Sequence, residues 1–288
     1  MRILVLFDVH RPIGPDETFS VRSLRTEEEK PTEADVLACL RKLGHDVETL
    51  AVYDDVKVVL EKKDSFRPDV VFNLCETFFS DRAHEPNIPA LLELMKVPYT
   101  GAGPDALMLC KDKALAKNEA EALERTRFLH ERFESDAMIE EYVEGRELYL
   151  GVLGNKRLTV FPPREIFFGE PPQEDSPRFA TAKAKWDDAY RKKWKIRNGP
   201  AGPLPHGLER KLAELARKVY RILSIRGLGR IDARLTQEGE VVVIEANPNP
   251  SLAKEDDFAQ AALQVGIGYE ALIQKILENA LKWRSELG

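Results

Sequence analysis

Cysteine is scarce. The 288 residues hold three, Cys39, Cys75 and Cys110, odd in number, far apart, and without CxxC or CxH spacing. A disulfide framework and a thiolate zinc site are therefore excluded, and free thiols in a reducing, cytoplasmic setting are expected. Long apolar runs are missing too. The opening MRILVLF meets Asp8 too early for a signal core or a membrane span and reads as a first buried strand. Positive charge is not in excess: 43 Lys and Arg stand against 49 acidic residues, for a formal charge of −6. Nucleic acid and anionic membrane are thus not the expected partners, although ample lysine and arginine remain for a local basic pocket. No internal repeat or low-complexity stretch occurs. Hydrophobic residues make up 43% of the chain, enough for a core, and the length suggests about two domains.

What is present changes character along the chain. In the first hundred residues RILVLFD, DVETLAV and DVVFNL read as strands, and VPYTGAG as a strand entering a glycine turn. Helices are expected at 32–43, where Val36, Leu37, Leu40 and Leu43 recur at helical spacing, at 54–63, and at 89–95. Such alternation predicts an open parallel sheet covered on both faces, with ligands at the carboxyl ends of its strands, so residues 8–15 and 73–84 are loops of interest. The second half reads as α+β, a mostly antiparallel sheet with packed helices. MIEEYV, ELYLGVLG, RLTVFPPREIFF and FATAKAKW are its expected strands, GPAGPLP (199–205) a loop, and 208–223 a helix with one apolar stripe.

Near the end, GRIDARLTQEGEVVVIEANPNPSL (229–252) reads as two strands joined near Gln237–Gly239. Residues two apart on a strand share a face, so Arg230, Asp232 and Arg234 lie together, as do Glu245 and Asn247. Pairing across the turn brings Asp232 close to Glu245. Two carboxylates and an amide oxygen make a hard, all-oxygen set suited to Mg²⁺, with substrate phosphates completing the octahedron. A solvated hairpin face is the plain alternative for Asp232 alone; it is a poorer account of Glu245 and Asn247 directly after an apolar run.

These residues, with several motifs in order before them, resemble the ATP-grasp superfamily and most closely the D-alanine–D-alanine ligase group. The resemblance spans nearly the whole chain: PALLELMKVPYTGAG (89–103), CKDKALAK (110–117), MIEEYVEGRE (138–147), AKAKW (182–186), GRID and IEANPNPS. It implies an N-terminal α/β domain at 1–103, the remnant of a central subdomain at 104–137, and a nucleotide- and metal-binding domain at 138–288. It implies ATP with Mg²⁺, Mn²⁺ being the alternative ion. Lys113 and Lys185 would offset phosphate charge. Glu140, Glu141, Tyr142 and Val143 would form the adenine hinge, and Glu147 would hold the ribose. Asp232, Glu245 and Asn247 would hold the metal. Arg230, aided by a backbone N–H near Ser251, would stabilise an oxyanion. The implied reaction is carboxylate–amine ligation through an acyl phosphate, with amino-acid or peptide substrates and, by family habit, a homodimer. Taken singly, Lys113, Lys185, Glu147 and the TGAG turn read as ordinary surface or turn residues; the order and number of the motifs carry the resemblance.

Two departures stand out. Between Lys117 and Met138 there is neither a second lysine-bearing strand nor a Gly/Ser-rich phosphate lid, and the stretch reads as one helix. A segment missing near Lys117–Glu119 is the preferred account and true loss of the lid the alternative. Loss of the lid would favour a non-catalytic nucleotide-binding relative over a ligase. In addition, Asp256 and Asp257 fall where the group reads an acceptor carboxylate. That acidic pair would repel a carboxylate unless Lys254 or a metal offset it, so a peptide or amino-acid ligase of another substrate class is a rival reading.

Overall fold

The computed structural model describes residues 1–14, 17–26, 28–110, 127, 142–169 and 187–286. Residues 3–7 are apolar and fully buried at every position, which only a strand covered on both faces requires. Strand β1 (Arg2–Asp8) is the centre of a parallel sheet, between β2 (Asp46–Val52) and β3 (Val70–Asn73). Five helices belong to this half: α1 (Val21–Thr26), α2 (Pro31–Lys42), α3 (Lys57–Phe66), α4 (Asn87–Leu94) and α5 (Pro104–Leu109). Leu4, Leu6 and Val71 pack against Val59 and Phe66 of α3 and Ile88 and Leu92 of α4. The expected strand at VPYTGAG contributes a lone parallel bridge, Val71 to Tyr99. The helix expected at 54–63 starts three residues later, where the Asp55 carboxylate accepts from the Lys57 N–H at 2.8 Å.

The second sheet is antiparallel and runs β7-β6-β4-β8-β9, with β5 also on β4. Its strands are β4 (Arg146–Leu153), β5 (Thr159–Val160), β6 (Arg164–Phe167), β7 (Arg197–Pro200), β8 (Leu228–Leu235) and β9 (Val241–Asn247). RLTVFPPREIFF is thus two strands: Pro162 and Pro163 bring no N–H to the ladder and separate β5 from β6. Gly199 and Pro200, expected in a loop, end β7. MIEE (138–141) and FATAKAKW lie outside the described residues, as does the stretch from Lys117 to Met138 except Arg127. The described residues of this half also form α6 (Asp188–Lys193), α7 (Leu208–Ile222), α8 (Asp257–Gln264) and α9 (Tyr269–Glu286). The apolar stripe of α7, Leu208, Leu212, Ala216 and Tyr220, covers Leu148, Leu150, Val152 and Ile231 on one face of the sheet. Helix α9 crosses back to the first half. Ile273, Ile276 and Leu277 join Val5, Phe7, Phe72 and the α2 side chains Val36, Leu37 and Leu40 in one core. Among the described residues no helix is long and apolar enough to cross a membrane.

Arg146 and Glu165 anchor the loop after β7. Arg146 grips the Glu165 carboxylate at 2.9 and 2.7 Å and donates to the Gly202 and Pro203 carbonyls at 3.0 and 2.9 Å. Burial would raise the Glu165 pKa, but the bonds from Arg146 and the Gly202 N–H outweigh it and hold it below the usual 4.5. A lowered carboxylate stabilises the fold above its unfolded pKa and ceases to do so as pH falls through the folded value. Glu165→Gln is therefore expected to lower thermal stability at neutral pH and to flatten the loss of stability below pH 4.5. An acid limb unchanged from the parent would exclude the pair as a contributor.

Candidate functional site

The face of the second sheet opposite α7 carries a polar patch. In register across β4 and β8 stand Glu147 with Arg234, Tyr149 with Asp232, and Gly151 with Arg230. Across β8 and β9 stand Asp232 with Glu245 and Arg230 with Asn247. A bulge at Asp232/Ala233 makes this possible. Val241 and Val243 pair with Leu235 and Ala233, on the apolar side, and Ile244 is then skipped. The extra residue shifts the strand's parity, so that Glu245 and Asn247 meet Asp232 while Ala246 stays against Ile231. Without it, either Val241 or the two polar residues would face the wrong way.

Asp232 is buried and both its oxygens are bonded. Arg230 Nε and Nη2 donate to its two oxygens at 2.7 and 2.8 Å, and Asn247 Nδ2 reaches Oδ2 at 3.3 Å. Burial works against the Arg230 charge, but Asp232 beside it more than offsets this and leaves the guanidinium pKa raised. Arg230 also lies over the Tyr149 ring, 4.7 Å from its centroid. Tyr149 donates to Glu147 at 2.9 Å. Its phenol is pushed well up, first by burial and then by the charges of Glu147 and Asp232, so it stays a neutral donor. Arg234 closes the other end, donating to Glu147 Oε2 at 2.7 Å and to the Gly145 carbonyl at 2.8 Å.

Among the described residues no three His, Cys, Asp or Glu side chains gather as a metal cage. Two carboxylates and one amide fit a cation that keeps several other oxygen ligands. With Asn247 Nδ2 turned to Asp232, its Oδ1 is the end left to act as a ligand. Of the expected nucleotide residues, Tyr142 and Val143 are described ahead of β4 and Glu147 within it; Lys113, Glu140, Glu141 and Lys185 lie outside the described residues.

A cleft of about 610 Å³ opens where the carboxyl ends of β1 and β3 face the loop 249–256, and His10, Lys30, Thr32, Glu76, Ser251 and Asp256 line it. Asp8 at the end of β1 accepts from Glu76 N–H and Thr77 Oγ1 at 2.9 and 2.7 Å, with Lys30 at 3.5 Å, and so ties down the loop after β3. Thr32 and Ser251 hydroxyls meet at 3.1 Å across the cleft, and Ser251 bonds the Asp256 carboxylate. Burial, only partly offset by Ser251, raises the Asp256 pKa. Gly101, at φ +93°, lets the Asn249 side chain cap the Ala102 N–H at 2.8 Å; a Cβ there would sit 2.6 Å from Asn249 Oδ1.

The two neighbouring aspartates are not equivalent. Asp257 is withdrawn into a buried pair with Arg164 at 2.7 Å and also bonds Asn198. Its charge is thus offset by Arg164, a residue outside the motifs, and Asp256 alone lines the cleft. Tyr149 and Arg164 carry no signal in the sequence; the alternation with Arg230 and Asp232 places Arg234 on the shared face but gives it no role.

Residues 116–278, more than half of the chain, match the family model "D-ala D-ala ligase C-terminus". An uncharacterised protein, y4sG of Sinorhizobium fredii, is 28% identical over 85% of this chain and 86% of its own length. D-alanine–D-alanine ligase A of Mesorhizobium japonicum is 34% identical over 52% of this chain and 40% of its own length. The crystal structure of a D-alanine–D-alanine ligase from Bacillus anthracis complexed with ATP superposes with a TM-score of 0.70 at 18% identity, covering 100% of this chain and 99% of that one. The chain belongs to the D-Ala–D-Ala ligase family of ATP-grasp proteins, which are ATP-dependent C–N ligases.

Proposed function

We propose that the protein joins a carboxylate to an amine, with amino acids or peptides as substrates, through an acyl phosphate. One observation carries the reading: Arg230, Asp232, Glu245 and Asn247 converge on one polar sheet face, next to the loop that walls the cleft. The γ-phosphoryl of ATP passes to a carboxylate oxygen and ADP leaves. The amine then attacks the acyl carbon, the C–N bond forms, the C–O bond to phosphate breaks, and the extra proton on nitrogen passes to the departing phosphate or to water. Asp232, Glu245 and Asn247 would hold Mg²⁺, which supplies positive charge against the phosphates. Arg230, held by Asp232 and the Tyr149 ring, is a fixed cation for the oxyanion of the attack, and it costs no reorganisation as charge develops. Tyr142, Val143 and Glu147 would take the nucleoside, together with Glu140 and Glu141. Lys113 and Lys185 would face its phosphates. Ser251, spanned by Thr32 and Asp256, sets the loop that would offer a backbone N–H.

The test is ADP release from Mg-ATP across a panel of amino acids and dipeptides, with mass spectrometry of the product. Release that requires both a carboxylate and an amine, with a new amide mass, is expected. ATP bound without substrate-dependent ADP would refute the ligase reading. Glu147→Gln, which keeps the shape beside Arg234, is expected to raise KM for ATP more than it lowers kcat; the reverse pattern would remove Glu147 from the ribose.

A further inference from the structure

We infer that Arg234 is the positioning residue of the nucleoside site, holding the hinge and the ribose carboxylate in one rigid unit. The inference rests on the proposed placement of ATP. Arg234 sits on β8, two residues beyond Asp232, and its side chain is 4% exposed. A solvent-facing arginine there would need no partners; this one has three, all from the segment 142–147. One guanidinium nitrogen donates to the Gly145 carbonyl at 2.8 Å, the other to Glu147 Oε2 at 2.7 Å, and the plane lies 5.6 Å from the Tyr142 ring centroid. Gly145 is itself constrained: at φ +149° it approaches β8 so closely that a Cβ would meet the Leu235 carbonyl at 2.3 Å. The backbone that turns from hinge to strand is thus pinned to β8 at adjacent residues.

Glu147 is held from the other side by the Tyr149 hydroxyl at 2.9 Å. Arg234 and Tyr149 each take one oxygen, which fixes the plane of the carboxylate. These two bonds orient the carboxylate. Tyr149 also carries Arg230 on its ring, and Arg230 binds Asp232. The side chains that would address the sugar and those that would address the metal therefore form one continuous buried network. Lysine cannot replace Arg234: a single ammonium lacks the planar fork that reaches a carbonyl and a carboxylate together.

The test is calorimetric binding of Mg-ATP and of Mg-2′,3′-dideoxy-ATP to the full chain, with no amino-acid substrate present. The parent is expected to prefer ATP by about 10-fold or more, the range of hydrogen bonds to a charged group. Arg234→Met is expected to weaken ATP far more than the dideoxy nucleotide, so that the preference collapses, and adding Glu147→Gln is expected to change little further. Arg234→Lys is expected to fall between, and it carries the test if the methionine variant does not fold. Equal weakening of both nucleotides would make Arg234 a merely structural residue and overturn the inference. A parent that binds ATP without preferring it would overturn both the ribose placement of Glu147 and the role of Arg234. A parent that binds neither nucleotide would overturn the ATP-site reading itself.

Discussion

ADP release is expected to fall by roughly 10³-fold or more when Asp232→Asn is combined with Glu245→Ala, because a catalytic cation contributes several kcal/mol and each 1.36 kcal/mol is a decade in rate. The pairing of substitutions matters. Asp232 is 3% exposed and both its oxygens hold Arg230. Removing its side chain outright would strand a buried guanidinium and cost about 3–5 kcal/mol of stability, which would confound the activity loss. Asparagine keeps an acceptor for Arg230 while removing the charge a cation needs. Among the described residues Glu245 makes no such bond, so alanine serves there. Substrate-dependent ADP formation at Mg²⁺ that saturates the parent is the measurement, with the unfolding midpoint as control. Undiminished turnover in a folded double variant would remove the metal assignment. A partial loss recovered by excess Mg²⁺ or Mn²⁺ would support it, since weakened coordination is what mass action can restore.

A second large effect is expected in stability, at the pair of Arg164 and Asp257. Their side chains are 8% and 10% exposed, and they meet at 2.7 Å although 93 positions separate them in sequence. Arg164→Met leaves Asp257 buried without its cation and is expected to cost about 3–5 kcal/mol. For a chain of this length that is a fall of roughly 10 °C in Tm. Adding Asp257→Leu is expected to restore most of it, because a buried ion pair and an apolar pair of similar volume differ little in net stability. A single-variant loss below about 1 kcal/mol would instead mark the pair as solvent-screened. The site should respond as well. Asp257 opens α8, directly after the loop bearing Ser251 and Asp256, so Arg164→Met is expected to raise KM for the amino-acid substrate more than KM for ATP. Equal changes would separate this anchor from the cleft.

Much of this architecture was legible as periodicity. ILVLF has no polar position, and a strand without one must be covered on both faces. The leucines of 208–223 recur at helical spacing and now cover the second sheet. GRID and IEAN show period-two alternation, which places Arg230 with Asp232 and Glu245 with Asn247 before any fold is known. Local pattern suffices in such cases because the partner is near in sequence or is simply any apolar surface. Short elements were harder. Helix α8, eight residues rich in alanine, has too few turns to declare a period, and the Asp55 carboxylate, which accepts from the Lys57 N–H, marks the later start of α3.

The sequence alone determined which stretches are amphipathic, that two strands flank the turn near Gln237–Gly239, and which polar residues share a face, since these follow from backbone geometry repeated every two or every 3.6 residues. Tertiary structure decided three things that no local pattern encodes. Parity in β9 depends on the skipped Ile244, a choice made by the apolar contacts of Val241 and Ala246 against the rest of the sheet. The charge of Asp257 is offset by Arg164, which only the meeting of β6 with α8 supplies. Helix α9 lies on the first sheet, with Ile273 and Leu277 against Val5 and Phe7, because burying that apolar surface costs less than leaving both it and the sheet face in water. Burial, pairing and charge compensation are sums over residues distant in sequence, and only the folded chain evaluates them.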